Sequence, residues 1–287
     1  MSNLPHLPPR EPTSYKGDYG RALLIGGSRG MTGAIALSGM AALRGGAGLV
    51  TLAVPESVQD VVATFDPCYM TVGLPEHEHH LGQICAPART PIQALADNAT
   101  CVAYGPGIGR SDGLDLLVAW LYEHLPQPLV IDADALNGLA NRPEGLANAG
   151  GPRILTPHPG EFRRLVGQQQ LEREAAESKA AELAGQHKIV IVLKGHRTFV
   201  TDGTHLFHNE TGNPGMATGG SGEVLTGVIT ALVCQGLGAF DAARLGVHLH
   251  GLAGDLAAKE LGQVGMIASD LLRFLPNAIS QPPHEDT

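Results

Sequence analysis

The sequence predicts an α/β protein whose mostly parallel sheet is covered by helices on both faces. Short apolar runs rich in Val, Ile and Leu alternate along the chain with longer stretches compatible with helices. Parallel strands are joined by helical crossovers and are buried on both faces, so they produce this alternation. Glycine-rich or polar turns follow several apolar runs, at the end of the strand where such sheets bind ligands.

The individual strands and helices can be placed from the same pattern. Seven apolar runs are predicted as strands, at residues 21–25, 49–54, 101–105, 128–132, 153–156, 188–194 and 198–202. Helices are predicted at residues 34–43, 114–124, 160–166, 171–186, 224–237, 241–259 and 269–279. With no linker and no internal repeat, residues 1–287 are expected to form a single domain. Loose tails are expected at about residues 1–13 and 280–287.

Composition and charge exclude several classes of partner. The chain has 28 acidic and 19 basic residues, for a net charge of −9, which disfavours nucleic acid and anionic membranes. Its four cysteines lack CxxC spacing and are expected to be free, buried thiols in a reducing compartment. No apolar run approaches the ~18 residues that span a bilayer, and the N-terminal segment lacks a signal-peptide pattern. The expected location is the cytoplasm.

The first glycine-rich turn, GGSRGMTG at residues 26–33, raises the question of a dinucleotide dehydrogenase. The GxxxGxG pattern of short-chain dehydrogenases fails because Thr32 holds the third glycine position. None of the five tyrosines has a lysine four residues later, so the catalytic pair of that family is missing. The turn can instead present backbone N–H groups to an anionic ligand, or simply form a tight connection.

The segment PEHEHHLG at residues 75–82 contains three histidines and could suggest a metal site. No partner cluster accompanies these histidines in the sequence, and prolines lie nearby. A solvated surface loop is therefore the favoured interpretation.

The loop GNPGMATGGSGEVLTG, from residue 212 to residue 227, predicts a phosphate site. Gly219, Gly220 and Gly222 allow consecutive backbone amides to converge, and the following helix adds the positive end of its dipole. Glu223 could accept a proton from a substrate hydroxyl at that phosphate. Alone, an acidic residue there could merely stabilise the helix by up to about 1 kcal/mol. Beside three glycines in four residues, this stabilising role is a weaker explanation, and the role of a base stays open.

Several motifs in a fixed order then point to one family. In addition to the loop above, the chain contains TGAIALSGMAALRGGAGLV, GPGIG, DADALN, TPHPGE, KGHRT and HGLAGD. Over about residues 14–280 it resembles the ADP/ATP-dependent NAD(P)H-hydrate dehydratases, a branch of the ribokinase-like superfamily. The resemblance implies a ribokinase-like three-layer α/β/α sandwich with a mostly parallel central sheet. The epimerase domain fused to some relatives would not fit in this chain.

The resemblance also implies an activity. Family members repair NADHX and NADPHX, the hydrated forms of NADH and NADPH. ADP or ATP phosphorylates the added hydroxyl group and phosphate then leaves, because phosphate is a better leaving group than hydroxide. Mg²⁺ is the implied cofactor, and a homo-oligomer, with a tetramer as the expected size, is the implied assembly.

Site residues are implied by matching each motif. Glu223 corresponds to the catalytic base. Contacts with the hydrated dinucleotide are expected from Ala34, Gly109, His158 and Glu223. Contacts with ADP or ATP are expected from Lys194, Gly195, His196, Arg197, Thr198 and Gly222. Positions near the phosphates and Mg²⁺-bound water are expected for Asp132, Asp134, Asn137 and Glu161. No side chain is assigned as a direct metal ligand.

One departure from the family pattern leaves alternatives open. Most members have aspartate where this chain has Glu223, and a displacement of about 1 Å can cost on the order of 100-fold in rate. The chain could therefore be a nucleotide-binding relative with reduced activity. It could also be a ribokinase-like kinase that acts on a vitamin precursor or a sugar. The sequence does not distinguish ADP from ATP or NADHX from NADPHX.

Overall fold

A computed structural model of the chain describes residues 4–142 and 144–281. The strands are β1 (Arg21–Ile25), β2 (Leu49–Pro55), β3 (Met70–Leu74), β4 (Glu76–His77), β5 (His80–Ile84), β6 (Cys101–Tyr104), β7 (Leu129–Ile131), β8 (Arg153–Leu155), β9 (Val190–Leu193), β10 (Phe199–Thr201) and β11 (Leu206–His208). Nine of them form one sheet in the order β11-β10-β9-β8-β7-β6-β1-β2-β3, and β4 and β5 form a separate hairpin.

Ten α-helices lie within the described residues. They are α1 (Thr32–Arg44), α2 (Gln59–Ala63), α3 (Arg89–Ala96), α4 (Asp112–His124), α5 (Asp134–Ala140), α6 (Pro159–Leu165), α7 (Arg173–His187), α8 (Ser221–Cys234), α9 (Ala239–Leu261) and α10 (Ala268–Ser280). Short 3₁₀ helices occur at Lys16–Tyr19, Glu56–Val58, Ala86–Ala88 and Pro214–Met216.

The helices form two layers, one on each face of the sheet. Strand side chains alternate between two apolar cores, so that Leu24 belongs to one core and its neighbours Leu23 and Ile25 to the other. The first core includes residues of α1, α8, α9 and α10, and the second includes residues of α3 to α7. The predicted α/β/α sandwich is confirmed.

Every predicted strand is present, and the sheet is mostly parallel as expected. Strands β1, β2, β3, β6, β7, β8 and β9 pair in parallel, whereas β10 is antiparallel to both of its neighbours. The sequence pattern missed β3 and β11 at the two edges, and it missed the hairpin β4–β5. Residues 75–82 are largely exposed as predicted, but the prediction of a loop was wrong because most of that segment lies in the hairpin.

The N-terminal segment makes several contacts with the sandwich. Leu7 packs against the first apolar core. The Arg10 guanidinium donates a hydrogen bond to the carbonyl of Gly46, at 2.8 Å, and lies 3.8 Å from the ring centre of Tyr19. Residues 1–3 and 282–287 of the predicted tails lie outside the described residues. The assignment of one domain to residues 1–287 stays a prediction.

Two expectations drawn from composition can be compared with the structure. All four cysteines are free, and Cys101 and Cys234 are buried. Cys85 is only partly buried and Cys68 is exposed, so the expectation of buried thiols was wrong for these two. Across residues 4–142 and 144–281, no helix is long and apolar enough to cross a bilayer.

A buried arginine joins the start of β8 to the end of α4. Arg153 is 0% exposed, and its guanidinium donates to five backbone carbonyls, those of Leu121, Tyr122, Leu125, Gln127 and Pro152. Burial lowers the pKa of Arg153 to about 10. The cation remains favourable there because it satisfies carbonyls at the negative end of the helix dipole.

Replacing this arginine should therefore destabilise the fold. We expect Arg153→Met to lower the free energy of unfolding by about 3 kcal/mol or more, since several buried carbonyls lose their donors. Urea denaturation followed by circular dichroism measures this change. The control is Arg44→Met, at the exposed end of α1, where we expect a change of less than about 0.5 kcal/mol. Equal effects of the two substitutions would contradict this role of Arg153.

Candidate active site

Five loops meet at the carboxyl edge of the sheet. They follow β1, β6, β7, β8 and β9, which all run in the same direction. Their sequences contain the motifs GGSRGMTG, GPGIG, DADALN, TPHPGE and KGHRT, respectively. The start of α8 packs against the same part of the sheet, with contacts to β1, β6 and β7. The predicted site residues therefore lie around one edge.

The loops after β1 and β6 form one wall of the site. Backbone N–H groups of Gly27 and Ser28 donate to the carbonyls of Pro106 and Gly107, at 2.8 and 2.5 Å. A side chain at Gly26 would place its Cβ 2.2 Å from the Pro106 carbonyl oxygen, so this approach requires glycine. Ala34 lies in the first turn of α1, with its Cβ 2.9 Å from the position that a Cβ on Gly107 would occupy.

The loop after β6 is tied to the start of α5. Gly109 has a φ of 81° and donates its backbone N–H to Asp134 Oδ2 at 3.0 Å. Burial raises the pKa of the Asp134 carboxyl, and the hydrogen bond from Gly109 opposes that rise. The structure thus brings predicted dinucleotide and phosphate residues into direct contact.

Asp132 is the most heavily engaged carboxylate of the site. Its side chain is 1% exposed, and Oδ1 accepts hydrogen bonds from Thr156 Oγ1 and Lys194 Nζ, each at 2.7 Å. Oδ2 accepts a hydrogen bond from Thr226 Oγ1 at 2.8 Å. Thr156 directly follows β8, Lys194 directly follows β9, and Thr226 lies in α8, so one carboxylate links these three parts of the chain to the end of β7.

Lys194 is surrounded by acidic groups. Besides Asp132, the Glu161 carboxylate lies 3.9 Å from its Nζ atom. Burial disfavours the ammonium ion, but the charges of Asp132 and Glu161 outweigh burial and raise the pKa of Lys194. A Cβ placed on Gly222 would lie 3.3 Å from Lys194 Nζ. The cation therefore lies beside the first turn of α8, where only glycine leaves this space open.

Glu223 occupies the first turn of the same helix. Gly220, at the N-terminal cap, has a φ of 97°, a conformation that favours glycine. Burial and then the charge of Asp132 raise the pKa of Glu223, while Lys194 opposes the rise. Ser38 Oγ in α1 donates to the Glu223 carbonyl at 2.9 Å and holds the start of α8 against α1. The geometry provides a partly buried carboxylate beside a cation and a helix N-terminus.

His158 and Glu161 form a reciprocal cap at the start of α6. The backbone N–H groups of Gly160 and Glu161 donate to His158 Nδ1, at 2.9 and 3.3 Å, and the His158 N–H donates to Glu161 Oε2 at 2.8 Å. Burial lowers the pKa of His158, and the charge of Lys194 lowers it further. The neutral ring therefore has a structural role, while its predicted contact with the dinucleotide stays a prediction.

Asn137 is engaged by a side chain that the sequence did not indicate. It is buried in α5, and its Oδ1 accepts a hydrogen bond from Arg164 Nε at 2.6 Å. A direct role of this oxygen near phosphate would compete with that contact. Its predicted position near Mg²⁺-bound water is not tested by the structure.

The KGHRT segment forms the connection between antiparallel strands β9 and β10. Gly195 and Arg197 have φ values of 139° and 53°, and Thr198 Oγ1 donates to the Gly195 carbonyl at 3.1 Å. The side chains of His196 and Arg197 are exposed, and Arg197 Nη2 lies 3.4 Å from Glu210 Oε1. These residues are arranged around an open edge beside Lys194.

Arg173 is a functional candidate that sequence reasoning missed. Its guanidinium donates to the carbonyls of Leu193, Lys194 and Arg197, at 3.1–3.3 Å, and thereby shapes the KGHRT connection. The sequence shows Arg173 only as one residue of the helix predicted at residues 171–186, with no motif around it. Only its long-range contacts reveal the role.

Three further supporting residues lie around α8. Thr226 donates a hydrogen bond to Asp132. Thr226 lies three residues after Glu223 in an apolar helix and so shares its face, which could have identified it from the sequence. Asp255 accepts hydrogen bonds from the Gly212 N–H and from Asn213 Nδ2, at 2.8 and 3.0 Å, which fixes the glycine-rich loop. His250 Nε2 lies 2.9 Å from the Ser221 carbonyl and supports the start of the helix.

The carboxylates of the site differ in how well they suit Mg²⁺. Both oxygens of Asp132 are already occupied by protein donors, which leaves it poorly suited as a direct ligand. Within the described ranges, no group of three or more His, Cys, Asp or Glu side chains is arranged to hold a metal ion. Asp134 and Glu161 flank the open edge, where a Mg²⁺ ion carried by nucleotide phosphates would retain most of its water.

Fold and site together define a ribokinase-like protein, the class to which similar solved structures belong. The sequence model of the NAD(P)H-hydrate dehydratase family matches residues 22–277. The chain belongs to this family, and the family predicted from the motifs is confirmed.

Individual proteins agree with that assignment. The bifunctional NAD(P)H-hydrate repair enzyme of Moorella thermoacetica is 47% identical over 273 residues, which cover 94% of this chain and 51% of that enzyme. The ADP-dependent (S)-NAD(P)H-hydrate dehydratase of Neisseria meningitidis serogroup B is 38% identical, with coverage of 95% and 90%, respectively. The ADP/ATP-dependent NAD(P)H-hydrate dehydratase of Bacillus subtilis, co-crystallised with ATP/Mg²⁺, is 31% identical with a TM-score of 0.80, and coverage is 95% and 93%.

The chain spans about half the length of the bifunctional relatives that it matches. Its similarity to the Neisseria and Bacillus enzymes extends over most of both chains.

Glu161 should make the stability of the protein depend on pH. Burial, opposed by the charge of Lys194, raises the pKa of Glu161 from 4.5 to about 7. The folded state therefore binds this proton more tightly than the unfolded state, so the contribution to stability is lost as pH rises towards 7. Glu161→Gln removes the titration, and its stability relative to the natural protein should increase by about 1–3 kcal/mol between pH 5 and pH 8.

Urea denaturation of both proteins at the two pH values measures this difference, and other titrating groups cancel in the comparison. Glu182→Gln, which alters an exposed carboxylate on α7, is the matched control. A stability difference that is constant with pH would show that Glu161 is already ionised at pH 5.

Proposed function

We propose that this protein dehydrates hydrated NADH and NADPH to NAD(P)H with ADP or ATP as co-substrate. The observation that carries the proposal is the position of Lys194 and Glu223 at the glycine-bounded start of α8. A cation and backbone N–H groups suit a transferring phosphate, and a neighbouring carboxylate suits proton removal from a hydroxyl. The names of similar proteins in the family support this choice.

The two substrates would approach the edge from opposite sides of α8. On the nucleotide side, Lys194, residues 195–198 and Gly222 would contact ADP or ATP. On the dinucleotide side, Ala34, Gly109 and His158 would contact the hydrated substrate. The terminal phosphate and the substrate hydroxyl would meet beside Glu223, in the first turn of α8.

The reaction follows from this arrangement in two stages. Glu223 accepts the proton of the substrate hydroxyl while its oxygen attacks the terminal phosphorus, and the bond to the departing AMP or ADP breaks. The ring nitrogen then supplies electron density as the carbon–oxygen bond breaks and phosphate leaves, and the neighbouring ring carbon gives its proton to the departing phosphate or to water. Lys194 and the N–H groups of the first turn of α8 hold the negative charge that moves between the phosphates.

Glu223 is suited to the first stage by its surroundings. Burial raises the pKa of its carboxyl, and a base whose pKa lies nearer to the operating pH accepts a proton more effectively. The additional methylene of glutamate, compared with the usual aspartate, would be accommodated by the substrate position.

Mg²⁺ would accompany the nucleotide phosphates and neutralise part of their charge. Asp134, Asn137 and Glu161 are the candidates for contacts with its water shell, and Asp132 would act mainly by positioning Lys194. We further propose that the enzyme acts in the cytoplasm as a homo-oligomer, with a tetramer as the expected size.

The first test is turnover of the natural protein. We expect absorbance near 340 nm to rise when the protein meets NADHX, Mg²⁺ and ADP or ATP, because the dihydropyridine ring is restored. Reactions without nucleotide are the control. A flat trace, together with direct evidence that the nucleotide binds, would reject the dehydratase and favour the kinase or the inactive relative.

The second test addresses Glu223. We expect Glu223→Gln to lower kcat by about 10²–10⁴-fold, because the amide cannot accept the proton. Glu223→Asp should lower kcat by about 10-fold, since it retains the base and displaces it. The same 340 nm assay measures both variants, with Glu182→Gln as the control for a remote carboxylate. An increase of tenfold or more in Glu223→Asp would mean that glutamate slows the natural enzyme.

A further inference from the structure

A second cavity lies beside the proposed dinucleotide wall, and the catalytic steps above do not use it. Its volume is about 340 Å³. It is bounded by the turn after β1, by strand β5 of the hairpin and by the loop after β6. We call it the hairpin cavity, and its lining residues are Ser28, Arg29, His80, Leu81, Gly82, Gln83, Arg110 and Ser111.

Specific contacts hold the hairpin over the two glycine-rich turns. The Arg29 N–H donates to the Gly82 carbonyl at 2.9 Å. Gly82 has a φ of 83°, and a Cβ at this position would lie 2.4 Å from Arg29 Cβ, so a larger residue would push the hairpin away. Gln83 Nε2 donates to the Arg110 carbonyl at 3.4 Å. The cavity is therefore a defined part of the fold.

Two arginines give the cavity positive charge. Arg29 and Arg110 are both exposed. Among the residues that the structure describes, neither guanidinium lies within 4.0 Å of a carboxylate oxygen. In a protein with a net charge of −9, two cations without an ion-pair partner at one cavity are an anion-binding feature.

Polar groups of the cavity also favour an anion. Ser28 is 7% exposed and lines the cavity, and its hydroxyl makes no hydrogen bond within the described part of the chain. Ser111 caps α4, its Oγ accepting the Leu114 N–H at 3.3 Å, and it lines the cavity, so the N-terminal end of that 13-residue helix lies at the cavity. Asp112 in the first turn of α4 opposes this effect, but it does not line the cavity.

The position of the cavity connects it to the proposed substrate. Gly109, a predicted dinucleotide contact, immediately precedes Arg110. Arg110 also lies close enough to Asp134 to oppose the rise that burial produces in the pKa of that carboxyl. A dinucleotide that touches Gly109 would therefore extend directly into the hairpin cavity.

We propose that the hairpin cavity binds a phosphate group of the dinucleotide substrate, with Arg29 and Arg110 as its charged ligands and Ser28 as a hydroxyl donor. This inference rests on the proposed function, because it concerns how the same substrate is held. Two phosphates of the dinucleotide have this chemistry, the pyrophosphate bridge common to both substrates and the 2′-phosphate present only in NADPHX.

The test uses Arg29→Gln, Arg110→Gln and the double variant, which remove charge at solvent-exposed positions. With ADP at saturation, we expect each single substitution to raise KM for the affected dinucleotide by about 10- to 100-fold, the cost of a charge-assisted hydrogen bond. The effect on kcat should be smaller than the effect on KM, because the lost contact would hold the dinucleotide equally in the ground state and in the transition state. Arg273→Gln is the matched control, since it removes the same charge from an exposed pair with Glu260.

Comparison of the two substrates identifies the phosphate. A rise in KM for NADPHX alone supports contact with the 2′-phosphate, and an equal rise for NADHX and NADPHX supports contact with the pyrophosphate. Unchanged KM values for both substrates in the double variant overturn the proposal.

Calorimetric titration of NADP⁺ and NAD⁺ separates this result from the proposed reaction. If the natural protein binds these dinucleotides but does not turn over NADHX, the proposed reaction fails and the arginine variants still test the cavity through affinity. If turnover occurs and the variants bind NADP⁺ and NAD⁺ as tightly as the natural protein does, the cavity proposal alone fails.

Discussion

The buried carboxylate of Asp132 is the interaction on which the arrangement of the site depends. It lies at the end of β7 and accepts hydrogen bonds from Thr156, Lys194 and Thr226, which follow β8, follow β9 and lie in α8, respectively. A buried charge that loses a partner is strongly destabilising, commonly by about 3–5 kcal/mol. All four elements must therefore keep the same relative position. Lys194 beside the first turn of α8 is a consequence of this requirement.

Much of the fold could be predicted from the sequence. The central strands are short apolar runs bounded by turns, a pattern typical of strands buried on both faces. Searching for apolar runs failed to identify the strands at the edges of the sheet. Strand β11 is three residues long and largely exposed, and the hairpin contains mainly polar residues, so neither shows a buried pattern. The short helix α5 was also missed, since a seven-residue helix gives little periodic signal.

The site was predictable at the level of loops but less so at the level of atoms. Parallel strands bring their carboxyl ends to one edge, so the motifs after β7, β8 and β9 were correctly expected to meet. Which side chains pair could not be derived, because Asp132 and Lys194 are 62 residues apart and Asp132 and Thr226 are 94 apart. Arg173 illustrates the same limit, since its role depends on carbonyls that the sequence does not distinguish.

The excess of acidic groups around Lys194 would constrain how the proposed anionic nucleotide enters. The charges of Asp132, Glu161 and Glu223 act on Lys194, and that of Asp132 also acts on Asp134. Four full negative charges would repel phosphate. Burial raises the pKa of Asp134, Glu161 and Glu223, and at neutral pH this lowers the average negative charge most at Glu161, whose pKa is about 7. In the proposed reaction, the remaining charge would favour a nucleotide that arrives with Mg²⁺. For the proposed reaction, burial of these carboxylates would have two effects. It would reduce repulsion of the nucleotide, and it would make Glu223 a stronger base.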